Sequence, residues 1–109
     1  MTLPEPIRAH LPFDESWLEA WCRRWQVAEL AFFGSVLRDD FSPDSDVDVL
    51  IRFSASSEWS LLDYIAMEEE LAAFFGRKVD LVSRRAVEGS RNPIRRRHIL
   101  ESAQVVYAA

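Results

Sequence analysis

Cysteine is almost absent: Cys22 stands alone in 109 residues, so no internal disulfide can form and a structural zinc site lacks its thiolates. That usage fits a reducing compartment. No stretch approaches the run of about 18 apolar residues that a membrane span requires, and the opening residues MTLPEPIRAH hold no apolar signal core. Both absences lead us to expect a cytoplasmic protein with no membrane partner. Positive charge is short as well. There are 13 Lys and Arg against 18 Asp and Glu, a formal net charge of -5, so the molecule as a whole repels nucleic acid and any such contact must be local. No internal repeat and no low-complexity tract interrupt the chain. What remains is a globular composition, 49% hydrophobic and 28% charged, which predicts one domain with a real core.

Pro4, Pro6 and Pro12 predict an extended lead-in over residues 1–13, because proline removes donors and restricts its neighbours. The domain is expected over 14–109. Asp14 caps a helix whose apolar residues Leu18, Trp21, Cys22 and Trp25 share one face. Val27 to Phe33 is a short apolar run stopped by Gly34, a buried strand. Polar residues 39–45 form a loop, and Asp46 to Phe53 alternates with a period of two, putting Val47, Val49, Ile51 and Phe53 on one face. Ser60 and Asp63 open a helix in which Leu61, Tyr64, Met67, Leu71 and Phe74 recur at three and four, closed by Gly76. Lys78 to Ser83 reads as a third strand, Asn92-Pro93 as another helix start, and Val105 to Tyr107 as a short last strand. Helices alternating with strands predict an α/β (α+β) fold, a small sheet flanked by helices.

The chemistry sits in Gly34-Ser35, Asp46-Val47-Asp48 and Asp80. Asp46 and Asp48 are two apart on a strand, so both carboxylates project from one face about 6 to 7 Å apart. Carboxylates so placed suit hard cations, and magnesium takes a few carboxylates together with water and phosphate oxygens. Two such ions can bracket both ends of a phosphoryl displacement. Asp80 is the third carboxylate, alone among the apolar residues of its strand; it is read as a metal ligand or as the base that takes the acceptor proton. A glycine at the end of a strand lets a phosphate approach the backbone, and Ser35 with the free N–H groups of a following helical turn would hold a triphosphate tail. Arg38 would add charge to the same phosphates.

This pattern resembles the polymerase-beta-like nucleotidyltransferases, and among them the minimal nucleotidyltransferases paired with HEPN-domain toxins. The resemblance rests on Gly34-Ser35 followed by ten residues and Asp46-x-Asp48, on Ser45-Asp46-Val47-Asp48-Val49-Leu50, and on Gly76-Arg77-Lys78-Val79-Asp80-Leu81-Val82. It runs over roughly residues 14 to 109. It implies a mixed sheet of the polymerase-beta type, with Asp46, Asp48 and Asp80 as catalytic residues and ligands of Mg2+, and with Gly34, Ser35, Arg38 and Ser45 at the nucleotide. It further implies transfer of AMP from ATP to a tyrosine of a partner HEPN toxin, which silences the toxin. The chain has no second domain to hold an acceptor, unlike the large polymerases, and that favours a protein substrate.

Other readings of the same residues are weaker. Counted from Asp44, a calcium loop would need glycine where Val49 stands and glutamate where Ala55 stands. The arginines at 84, 85, 91, 95, 96 and 97, with His98, read as a solvated helix face, the functional alternative being an acidic partner surface or RNA. No aromatic residues interleave them. His10 and His98 lack metal-ligand spacing, and Trp17, Trp21 and Trp25 read as core. Two rival functions remain: an antitoxin that neutralises by binding alone, and nucleotidyl transfer to a small molecule or an RNA end.

Overall fold

A computed structural model describes residues 3–109. Its elements are α1 (Glu5–His10), α2 (Glu15–Arg24), β1 (Val27–Phe33), a 3-10 turn (Gly34–Leu37), β2 (Val47–Phe53), α3 (Leu61–Phe75), β3 (Val79–Ser83), α4 (Arg84–Glu88), α5 (Pro93–Ser102) and β4 (Gln104–Ala108). The strands form one mixed sheet in the order β3-β2-β1-β4. β1 runs antiparallel to β2 and to β4, and β2 runs parallel to β3.

Caps set the helix boundaries. The Asp14 carboxylate accepts from the backbone of Ser16 and Trp17, Ser60 and Asp63 form a reciprocal capping box, and Gly76 closes α3 in the left-handed region. Each such cap is worth about 1 kcal/mol. The period-two reading of β2 holds: Val47, Val49 and Ile51 are fully buried with Leu30, Phe32, Met67 and Leu71. The other face buries Ala31, Phe33 and Leu50 against Val87 and Ile99 of α4 and α5. The sheet is therefore covered on both sides, with α1 to α3 on one face and α4 and α5 on the other.

Glu70 of α3 ties α2 down, accepting the indole N–H of Trp21 at 2.9 Å and of Trp25 at 3.0 Å and pairing with Arg24. Trp17 stacks on Phe74 at 3.8 Å. Two expected core positions fail: Leu61, in the first turn of α3, is 77% exposed, and Trp17, which stacks on Phe74 at the edge of the core, is 37% exposed. Among the described residues no helix is long and apolar enough to cross a membrane.

The lead-in is corrected by the structure. Residues 5–10 are helical, with Pro6 in the first turn, where the missing N–H has no intrahelical acceptor in any case. Ile7 is fully buried and secures the turn to the core. Helix α4 is also an addition to the sequence reading; it starts directly on β3, with the Ser83 hydroxyl as its cap.

Cys22 lies in the α2 face of the core. Burial, then the negative charge of Glu19, pushes its thiol up to about 12. The thiolate is the reactive form, so Cys22 should resist a disulfide-exchange reagent at pH 8 in the native protein. One equivalent should react in denaturant; rapid native labelling would contradict the burial.

Candidate active site

Strand β1 ends at Phe33, and the chain turns at Gly34 with φ of +76°. That conformation disfavours a side chain, and the space forbids one too: a Cβ on Gly34 would lie 2.2 Å from Oδ2 of Asp48 and 3.1 Å from its Cγ. Strand register explains the proximity. Phe33 pairs with Asp48 across the antiparallel ladder, which sets Gly34 beside the Asp48 carboxylate. On the other side of β2, the parallel ladder pairs Asp48 with Asp80. Asp48 is thus the centre of the group, opposite Asp80 and two residues from Asp46.

Asp46 lies one residue before β2. Its carbonyl accepts the Ser35 hydroxyl at 3.4 Å, and its Oδ2 is 4.0 Å from Lys78 Nζ. The 3-10 turn supplies backbone N–H groups with no intrahelical acceptor at the same place. Gly34, Ser35, Asp46, Asp48 and Asp80 are brought together at one end of β2, as the spacing required.

Negative charge dominates the electrostatics. Burial raises the Asp48 carboxyl above the usual range, the charges of Asp80 and Asp46 raise it further, and Arg38 and Arg95 partly offset them. Glu68, on α3 at the β3 edge, is raised by burial and then by Asp80, with a backbone bond at Leu81 and Lys78 opposing. This is an all-oxygen donor set with an excess of negative charge, which fits a hard divalent cation. Among the described residues the carboxylates do not close into a three-ligand group around one point.

The outer parts of the motif divide. Arg38 is exposed and pairs with Asp40 at 3.2 Å, and it acts on Asp48 only through its field. Ser45 closes a turn: its hydroxyl accepts from the Ser42 backbone at 3.0 Å and lies 3.2 Å from the Ser42 hydroxyl.

Three residues escaped the sequence reading as parts of the site. Arg77 donates to the carbonyls of Ser42 at 2.9 Å and Ser45 at 3.1 Å, and its guanidinium lies 4.4 Å over Phe41. His10 of α1 stacks on the same Phe41 ring, centroids 5.3 Å apart, and donates from Nδ1 to the Val36 carbonyl at 2.9 Å, so Nδ1 carries the proton. Together they hold the loop from Arg38 to Asp46 against the glycine turn. Arg95, in the first turn of α5, sends its charge to Asp48. Arg77 stood three residues before Asp80 and carried that much of a signal; His10 and Arg95 carried none.

The profile of a family described as Nucleotidyltransferase domain matches residues 15–106. Protein adenylyltransferase MntA of Thermococcus cleftensis is 42% identical over 65 residues, 60% of this chain and 64% of that relative; the match thus spans under two thirds of that relative's length. In fold, the chain is similar to a toxin–antitoxin crystal structure with AMP-PNP, at a TM-score of 0.68 and 17% identity over 89% of this chain and 75% of that one. It is also similar to a tri-AMPylated HEPN toxin of Shewanella oneidensis in complex with its MNT antitoxin, at a TM-score of 0.54 and 16% identity over 88% of this chain and 74% of that one. At these identities the two structural likenesses concern the fold.

Proposed function

This chain belongs to the nucleotidyltransferase domain family, and we propose that it is a magnesium-dependent protein adenylyltransferase that moves AMP from ATP to a tyrosine hydroxyl of a HEPN-type toxin, acting in the cytoplasm as its antitoxin. The observation that carries this reading is the contact of Gly34 with Asp48, in register with Asp80. A phosphate-accepting turn and a paired carboxylate site are held together by the strand ladders themselves. The protein acceptor is supported by the adenylyltransferase relative and by the AMPylated toxin in the structural neighbour.

In the proposed reaction the acceptor hydroxyl oxygen forms a bond to the α-phosphorus of ATP, the bond from that phosphorus to the bridging oxygen breaks, and pyrophosphate leaves. Backbone N–H groups of the Gly34–Leu37 turn and the Ser35 hydroxyl bind the triphosphate. Asp80, exposed at the β3 edge, takes the acceptor proton. Asp46 and Asp48, with Asp80, would hold Mg2+, which supplies charge stabilisation at the phosphates. Arg77 and His10 position the loop that carries Asp46.

The proposal is tested with ATP labelled at either the α- or the γ-phosphate, added with Mg2+ and the protein encoded by the neighbouring gene, where the proposed HEPN partner is sought. Label from the α position alone should enter the HEPN protein. Label from the γ position would make the reaction a phosphorylation and overturn it.

A further inference from the structure

Charge is unevenly divided along this acidic chain. Residues 77–98 carry eight Lys and Arg against two Asp and Glu, whereas the remainder carries five against sixteen. The fold uses part of this excess elsewhere, pairing Arg84 with Glu29 at 2.6 Å and Lys78 with Asp46 at 4.0 Å and tying Arg77 to the Ser42 and Ser45 carbonyls; the remainder gathers on α4, α5 and the link between them. Ser83 ends β3 at α4, and α5 then packs on the same sheet face through Ile99, the face that carries Asp48 and Asp80. Arg95 and Arg97 on α5 are exposed, and Arg95 is near enough to act on Asp48. Arg95 and Arg96 also border a cavity of about 180 Å3 whose floor is Val82, Val87 and Ile99. A merely solvated helix face would need neither the cavity nor the adjacency to the carboxylates. On α5 intramolecular partners absorb little of the charge: Arg96 donates to the Ser90 carbonyl at 3.2 Å, and Arg97 meets Glu101 at 3.8 Å with both side chains over 70% exposed, a pairing of small energetic weight.

We infer that the arginine face of α5 docks an acidic segment of the acceptor protein and so presents its hydroxyl to the Asp48–Asp80 site. The inference rests on the proposed adenylyl transfer and names the recognition surface for its substrate. A protein partner is favoured over RNA by the lack of aromatic residues among the arginines, since single-stranded nucleic acid is gripped by stacking as well as charge. Opposed charges of this kind act mainly on encounter and register, and they weaken as salt rises.

The test is the double variant Arg96→Glu/Arg97→Glu, with Arg96→Gln/Arg97→Gln as the milder form should the first not fold, and Arg8→Glu/Arg23→Glu as a control of equal charge change. Expected is a rise of about tenfold in KM for the HEPN protein, with KM for ATP and kcat at saturation within about twofold of the wild type. The wild-type KM should rise with salt and approach that of the variant. An unchanged KM for the acceptor overturns the inference, as does a rise confined to ATP, which would assign the arginines to the triphosphate. Specific retention of RNA by the wild type at physiological salt, lost in the variant, overturns it too. If the wild type transfers nothing, the proposed function fails first; calorimetric binding of the HEPN protein without ATP then still tests the face, with weaker binding in the variant expected and equal binding contradicting it.

Discussion

Replacing Gly34 by alanine is expected to lower adenylyl transfer by about 100-fold, the scale on which a displacement of roughly 1 Å at reacting groups acts, while the protein still folds. The added methyl would meet Oδ2 of Asp48 at 2.2 Å. That oxygen is the free end of a side chain, so the carboxylate can rotate aside and the backbone need not move. The stability cost is then largely the left-handed φ of +76°, on the order of 1 kcal/mol for a non-glycine residue. The functional cost is larger because the group displaced is the one at the centre of the site. Circular dichroism and thermal melting separate the two effects. A variant that loses a few degrees and nearly all activity fits; full activity would mean that the Asp48 position is irrelevant to transfer.

Asp46→Asn and Asp48→Asn should each lower transfer by at least about 1000-fold, the upper range for removing one preorganised electrostatic group in a site built on positioning and charge. Their effect on stability should have the opposite sign at Asp48. Burial and the charges of Asp80 and Asp46 raise the Asp48 carboxyl in the folded protein. A carboxyl raised on folding makes the fold less stable as pH climbs through the interval between its unfolded and folded values, and that loss persists at neutral pH. Removing the charge removes the loss. In metal-free buffer at pH 7, Asp48→Asn should therefore melt at or above the wild-type temperature, and the gap should close towards pH 3. Millimolar Mg2+ should raise the melting temperature of the wild type and leave Asp48→Asn unmoved. A variant that melts far below the wild type would make Asp48 a structural residue.

The elements that were legible in the sequence are those with two agreeing signals. Helix α3 had a capping box, a helical period and a terminal glycine, and its bounds follow directly. β2 had an alternation so regular that the buried face was readable residue by residue. α1 was hidden because its prolines, read as breakers, occupy the cap and first turn where proline is tolerated. α4 spans five residues without room for a period.

At the site, the chain distances from Gly34 to Asp46, Asp48 and Asp80 were enough to name the groups. The register that sets Asp48 against both Phe33 and Asp80 belongs to the sheet. So do the supporting contacts of Arg77 and His10, which cross more than 25 residues of chain, and no local pattern announces them.

The most direct measurement is the intact mass of the proposed HEPN partner, sought as the protein encoded by the neighbouring gene, after incubation with this protein, ATP and Mg2+, run beside Asp46→Asn and Asp48→Asn. One or more adenylyl units on the HEPN protein, with pyrophosphate released in equal amount and neither product formed by the variants, is the predicted result. An unmodified HEPN protein in a stable complex, with both variants protecting cells from the toxin as well as the wild type does, would contradict it and leave an antitoxin that works by occlusion.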